Sequence, residues 1–330
     1  MEYTNWRLTI VKQNKLSPGT REYIKPKILV SKCLEFDACR YDGQQIINKP
    51  IRALKPFVEF VPVCPEVEIG LGIPRDTIKI IKNKNEKKLF QSTTGIDLTD
   101  KMYSFSKHFF HKQKIFDGFI LKSKSPSCGI KTTKYFKEDS PDLAGFGSGL
   151  FTDYILKYFP YYPKEEDKRL NNVALREHFL TAIFTIADFK EVQTAKDLYS
   201  FHGKNKYLFM NYNQSCLKKM GQVAAKINNK NSPSIIKEYF DLLLYIFSKR
   251  PRRNSNINTQ MHVFGYFKKE LSAKEKSYFL ELLDSYREKS TPLSSLNSIL
   301  YAWIIRFNND YLKQQTYFQP FPIEITNELS

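Results

Sequence analysis

The chain has 330 residues, five cysteines and a formal net charge of +18 at pH 7, from 52 lysines and arginines against 34 aspartates and glutamates. The length exceeds that of one ordinary domain and predicts two, and the composition, 42% apolar and 26% charged, is that of a folded globular protein. Neither secretion nor a membrane span is expected: Met1–Ser17 lacks the unbroken apolar core of a signal peptide, and the longest apolar run, Tyr239–Phe247, is interrupted by Asp241 and falls far short of a bilayer span.

The positive charge is spread over the whole chain, with 26 basic and 16 acidic residues in 1–150 and 26 and 18 in the remainder. Such a field favours a polyanionic partner (RNA, DNA or an anionic membrane surface) over its plain alternative, a solvated lysine-rich surface without a partner. An odd number of cysteines in a long chain without a signal argues against a disulfide framework and for reduced thiols, a metal site or catalysis. The expectation is a soluble, cytoplasmic protein.

Residues 1–25 read as an N-terminal extension with a turn at Ser17-Pro18-Gly19. From 26 to 150, short β-rich runs alternate with helical segments. Strands are expected at Lys27–Cys33, Phe57–Val63, Lys79–Lys82 and Gly118–Leu121, helices at Ile51–Leu54 and Lys101–Lys114, and a hairpin-like loop at 83–88. Strand, helix, strand at this spacing predicts an α/β domain with a mostly parallel, Rossmann-like sheet. The glycine-rich stretch Asp139–Gly149 has neither a GxGxxG pattern nor a Lys-Ser/Thr ending, and reads as a flexible connection.

Residues 151–164 read as a linker, because Tyr158-Phe159-Pro160-Tyr161-Tyr162-Pro163 breaks regular structure. From Glu165 the apolar residues recur every three or four positions, which predicts an all-α domain over 165–330. Its helices are expected at Glu165–Lys190, Thr194–His202, Asn205–Gln214, Leu217–Ile227, Pro233–Ser248, Asn258–Lys268, Ala273–Lys289 and Leu293–Leu312.

Three of the expected strands give way to a loop at a cysteine: Cys33, Cys64 and Cys128. Their separations, 31 and 64 residues, match no contiguous zinc or ferredoxin signature. In an open parallel sheet, however, ligands gather at the carboxyl ends of the strands, where all three fall. Pro65 suits a first helical turn and Ser125 or Ser127 a helix cap, and thiols at helix N-termini have lowered pKa values. Three thiolates leave one coordination position open, so an iron–sulfur cluster with one free iron and a zinc with a bound water both fit, as do three buried core cysteines. Cys39 is a reserve ligand or a structural thiol, and Cys216, on a helical pattern, a buried apolar residue. His108 and His111, three apart without a third ligand nearby, read as one helix face, and His202 and His262 as ties between helices.

The blocks Ser31-Lys32-Cys33-Leu34, Cys39-Arg40-Tyr41-Asp42-Gly43, Pro62-Val63-Cys64-Pro65-Glu66, Gly70-Leu71-Gly72 with Pro74-Arg75, and Ser125-Pro126-Ser127-Cys128-Gly129 together resemble the thiouracil desulfidase family. The resemblance covers roughly residues 26–150. It implies a [4Fe–4S] cluster held by Cys33, Cys64 and Cys128, with the fourth iron taking the substrate sulfur. The second half resembles the YbgA-like helical domain through Phe201-His202 with Lys206, His262 with Gly265-Tyr266-Phe267-Lys268-Lys269, Tyr286-Arg287 with Pro292-Leu293, and Gln315 with Tyr317, Pro320 and Pro322. A chain that joins the two is similar to desulfidases acting on 4-thiouridine in tRNA.

The implied chemistry replaces a thiocarbonyl by a carbonyl with water, and needs a proton acceptor beside the cluster. Glu66 is the first candidate, its plain alternative being a first-turn glutamate that complements a helix dipole. Ser125 is either a proton relay or an N-cap. Arg40, Asp42 and Ser127 are candidate substrate contacts, although Asp42-Gly43 equally suits a tight turn; Glu59 is a reserve carboxylate. Lys249-Arg250-Pro251-Arg252-Arg253, with Tyr245, Phe247 and Tyr266 nearby, is a candidate surface for tRNA phosphates and bases, against a solvated loop. Other readings are a desulfidase of free thiouracil, a non-catalytic iron–sulfur RNA-binding or redox-sensing protein, and a zinc hydrolase; the last lacks the PCxxC pair of zinc deaminases.

Overall fold

A computed structural model describes residues 21–83, 86–113, 115–138, 140–228 and 231–329; the turn expected at Ser17-Pro18-Gly19 lies outside them. In chain order the first part comprises β1 (Lys27–Ser31), α1 (Lys49–Leu54), β2 (Glu59–Val63), α2 (Pro65–Glu68), β3 (Ile78–Lys82), β4 (Lys87–Gln91), α3 (Thr99–Lys112), β5 (Gly118–Leu121), β6 (Thr133–Phe136), β7 (Leu143–Gly147), α4 (Leu150–Tyr158) and β8 (Lys164–Glu166). Everything from Val173 onward is helical: α5 (Val173–Phe189), α6 (Ala195–Lys204), α7 (Lys206–Tyr212), α8 (Gln214–Ala224), α9 (Ser232–Ile246), α10 (Arg253–Phe264), α11 (Ala273–Arg287), α12 (Leu293–Arg306), α13 (Asp310–Lys313) and α14 (Ile323–Asn327). The expected α/β domain followed by an all-α domain is what the chain adopts.

The main sheet has the order β2-β1-β5-β8, and every pair in it is parallel. β1 is central, and Ile28, Leu29 and Val30 are fully buried on both faces, as expected of a parallel strand covered by helices. A second sheet, β4-β3-β6-β7, joins β3 to β6 in parallel and adds an antiparallel strand at each edge.

Several elements differ from the expectation. β4 and β6 carry only short alternations, and β7 lies in the stretch read as a flexible connection. Its glycines have little intrinsic strand preference, but pairing with β6 recruits them, and Gly147 lies directly over the Tyr135 ring, where no Cβ would fit. Residues 151–164 hold most of α4 and lead straight into β8 rather than forming an irregular linker. β8 buries Glu165 and Glu166, so it gives no apolar signal, and the helix expected from Glu165 begins at Val173 behind an Asn172 cap whose side chain accepts from Leu175 N at 3.1 Å. Elsewhere the caps carry their sequence marks: Thr194/Asp197 and Ser272/Glu275 both close capping boxes.

α5 ties the two parts together. Phe179, Leu180, Ile183 and Phe184 pack with Ile28, Val30 and Ile120 of the sheet and with α1, while Ala182, Ile186 and Phe189 belong to the core of the helical domain. Ten consecutive or near-consecutive residues of this helix are buried, the signature of a helix without a solvent face. The opposite face of the sheet is covered by α3, α4 and the second sheet. Arg21 pairs with Asp188 on α5, and Tyr23 donates to Gln319 O at 3.1 Å, so the described end of the N-terminal extension lies against the helical domain. Among the described residues no helix is long and apolar enough to cross a membrane.

Candidate active site

The carboxyl ends of three adjacent parallel strands open into one cavity of about 430 Å3. β1 delivers Cys33, β2 delivers Cys64 and β5 leads through the loop 122–127 to Cys128; all three line the cavity. The second sheet forms another wall through Ile78, Lys79, Lys134 and Phe136. Cys39 is buried and lines the cavity too, and its backbone carbonyl accepts from the Cys64 thiol at 3.7 Å. The five cysteines form no disulfide. Among the described residues no three Cys, His, Asp or Glu side chains converge on one point, as a mononuclear metal site needs; the thiols instead surround the cavity.

Cys64 is the N-cap residue of α2, with Pro65 in the first turn. Its pKa is lowered to about 7, first by the hydrogen bond from Cys39, against burial, with the Val67 amide and Arg75 adding to the effect. The other thiols move the opposite way. Burial pushes Cys33 up to about 12 and Cys128 well above its ordinary value, and Cys39 is raised because it donates to Cys64 and is buried. Of the four cavity thiols only Cys64 is lowered.

Glu66, one position into α2 beyond Pro65, is the most heavily contacted carboxylate of the cavity. Arg75 grips Oε2 through Nε at 3.0 Å and Nη2 at 2.7 Å, while Oε1 accepts from Ser127 Oγ at 2.7 Å and lies 3.4 Å from Ser125 Oγ. Ser125 lines the cavity and accepts from the Ser127 and Cys128 amides at 3.2 and 3.1 Å, closing a turn; no helix starts there, so the expected helix cap is absent and Ser125 is a turn residue beside Glu66. Ser127, expected at the substrate, is not among the residues lining the cavity: it is fully buried and its hydroxyl donates to Glu66.

Arg40 reaches the cavity with its guanidinium 5.3 Å from the Tyr41 ring centroid. Asp42 does not line it: one oxygen accepts from the Gln44 amide at 3.2 Å in the turn and the other pairs with Arg40 at 3.1 Å. Glu59 pairs with Lys27 at the far, amino end of the sheet, at 3.0 Å. At the rim, Lys32 pairs with Asp37 and Lys122 with Asp167. Lys79, Lys124 and Lys134 have no ion pair among the described residues.

Several supporting residues carried no sequence role. Arg75 was visible only as part of a Pro-Arg block; besides Glu66 it donates to Cys39 O at 2.9 Å. Ser31 takes a hydrogen bond from the Lys122 amide at 2.9 Å and faces Cys128. Glu166 and Asp167, at the end of β8, brace the cysteine loop: Glu166 Oε1 accepts from Ile130 N at 2.8 Å and Thr132 Oγ1 at 2.7 Å, and Asp167 Oδ1 from Ser123 N at 2.8 Å. The acidic run 165–167 was the available signal, and it was read as the start of a helix.

In the helical domain His202 Nδ1 meets Tyr239 Oη at 2.9 Å and ties α6 to α9 as expected, whereas His262, expected to tie helices too, faces solvent, as do His108 and His111. Cys216 is buried, as expected. Phe247 is buried and offers no stacking surface, and Arg253 is engaged with the Tyr286 carbonyl and ring.

Residues 28–167 match the family model described as 2-thiouracil desulfurase, and residues 206–322 the one described as a protein of unknown function (DUF1722). The protein YbbK of Bacillus subtilis (strain 168) is 35% identical over 109 residues, 31% of this chain and 72% of that protein. YbgA of Escherichia coli (strain K12) is 25% identical over 126 residues, 38% of this chain and 75% of that protein. A solved structure titled [4Fe–4S]-dependent thiouracil desulfidase TudS is 26% identical, with 46% of this chain and 98% of that one covered and a TM-score of 0.36. The matched segment 28–167 contains every thiol of the cavity together with Glu66, Arg75 and Ser125, and the chain belongs to the 2-thiouracil desulfurase family.

Proposed function

We propose that this protein is a [4Fe–4S]-dependent desulfidase that converts 4-thiouridine in tRNA to uridine and releases hydrogen sulfide. The observation that carries the reading is the clamped carboxylate of Glu66 in the same cavity as Cys33, Cys64 and Cys128. The donor chemistry fits a cluster: three thiols line one cavity at the carboxyl ends of adjacent parallel strands, and would be its protein ligands. Bound there, a cluster with three protein ligands supplies an open iron as Lewis acid for the thiocarbonyl sulfur.

The chain's own residues supply the proton handling. Glu66 Oε1 takes a proton from the water that adds to the thiocarbonyl carbon; Arg75 and Ser127 hold the carboxylate in place, and Ser125 Oγ lies on the cavity wall beside it. A carbon–oxygen bond forms, the carbon–sulfur bond breaks, and the sulfur leaves as hydrogen sulfide. Lys79, Lys124 and Lys134 at the cavity rim favour a substrate that carries phosphates over a free thiobase. Lys79 and Lys134 stand on neighbouring parallel strands, and like charges there are unfavourable without an anion between them.

Anaerobically purified protein is expected to hold about four irons per chain, as a cubane cluster requires. Cys33→Ala, Cys64→Ala and Cys128→Ala each lose the iron, Cys39→Ala keeps it, and Glu66→Gln keeps it while turnover falls by about 10²–10⁴. Colourless protein with stoichiometric zinc overturns the reading, and iron loss in Cys39→Ala overturns the ligand count. Thiolated tRNA is expected to be turned over in preference to free 4-thiouracil; the reverse order makes the free base the substrate.

A further inference from the structure

A second cavity, of about 520 Å3, lies between the sheet domain and the helical domain. Its walls come from the segment after Cys128 (Ile130–Thr132), from 160–166 including β8, and from α5 and the residues after α9, among them His178, Phe247 and Arg250. The volume is in the range of a site for a small organic ligand.

The chemistry of the lining is selective. Four basic residues, Lys131, Lys164, Arg169 and Arg250, face two carboxylates, Glu165 and Glu166. Both carboxylates are already engaged: Glu165 with Arg169 at 2.9 Å, and Glu166 with the 130–132 loop. Lys164 caps the carbonyls of Pro160 and Tyr162. Lys131 and Arg250 have no ion pair among the described residues, and Arg250 belongs to the densest basic cluster of the sequence. Tyr161, half exposed, is held edge-on against Tyr245 with centroids 5.7 Å apart, and presents a ring at the mouth. Arg250 is near enough to Glu165 to favour its charged form but makes no ion pair with it, and a cation held so beside an anchored aromatic ring suits a nucleotide, with the phosphate on the cation and the base on the ring.

The two cavities share a wall. Cys128 lines the first and Ile130 the second, and two residues of chain span at most about 7 Å. The backbone from Cys128 to Ile130 therefore borders both cavities.

We propose that the interdomain cavity is a second nucleotide subsite, in which Arg250 and Lys131 hold a phosphate and Tyr161 stacks on a base flanking the reacting one. The proposal rests on the reading of an RNA substrate. It gives the contact between the two domains a role in recognition, because the cations come from both.

The test uses the full-length protein, a 4-thiouridine-containing RNA hairpin and 4-thiouridine 5′-monophosphate. Wild-type protein is expected to bind the hairpin, read by fluorescence anisotropy, and to turn it over with a lower KM than the mononucleotide. Arg250→Ala weakens hairpin binding about tenfold and lowers the slope of log K against log salt by about one; Tyr161→Ala weakens it by a similar factor, and Tyr161→Phe restores it. Lys237→Ala, exposed on α9 and paired with Asp241, serves as the control for loss of general charge. Unchanged hairpin affinity in both alanine variants, with the wild type still preferring the hairpin, overturns the subsite alone. A wild-type enzyme that turns over the mononucleotide or free thiouracil as well as the hairpin overturns the RNA reading. A Tyr161→Phe variant as weak as Tyr161→Ala overturns stacking.

Discussion

Arg75 and Ser127 divide the two oxygens of Glu66 between them, and neither could be assigned that task from its neighbours in the chain. The cysteines were legible because each follows a strand whose apolar run is visible locally; Arg75 is nine residues from Glu66 and Ser127 sixty-one, so only the fold brings them together. His178 shows the same dependence on long-range packing. Burial, with Arg250 nearby, holds its pKa down to about 4 from the ordinary 6.5, and its Nδ1 meets Tyr212 Oη at 2.9 Å. The unfolded chain therefore takes up this proton first as the pH falls. Stability from this group is complete above pH 6.5 and is lost progressively between 6.5 and about 4, by about 3 kcal/mol in full. Urea unfolding followed from pH 7 to 4 should show a shallower decline in His178→Gln than in the wild type; parallel curves would rule this out.

At the scale of elements, the loop that delivers Cys128 is set by its neighbours as much as by its own sequence. Gly149, at the start of α4, lies so close that an added Cβ would stand 2.3 Å from the Ser127 carbonyl and 2.7 Å from Pro126 O. Its φ of −69° suits any residue, so the demand for glycine is one of space. Gly149→Ala is expected to cost about 1–3 kcal/mol by overpacking and to lower the iron content by displacing Cys128; chemical denaturation and iron analysis check the two effects separately. β8 explains why part of this architecture escaped the sequence. Its buried Glu166, with Asp167 just beyond it, serves the loops 122–132, and alternation of apolar side chains cannot signal a strand whose buried groups are carboxylates.

At the scale of the molecule, α5 belongs to the cores of both domains. Ile183 is fully buried between the helix and the sheet, with its Cγ2 2.8 Å from the point where a side chain on Gly118 would begin. Ile183→Ala should cost about 2–5 kcal/mol and lower the unfolding midpoint of both domains together, read by far-UV circular dichroism and by hydrogen exchange of β1 amides; a transition that splits in two would contradict a shared core. The periodicity of this stretch was plain in the sequence, but its double allegiance was not, because an apolar pattern gives the angular spread of a buried surface without naming what lies against each side. The matched family segments end at 167 and resume at 206, so α5 falls between them. A protease cut in the short stretch between Asp167 and Val173 would accordingly leave two pieces that remain clasped, since the helix carried by one is also part of the lining of the other.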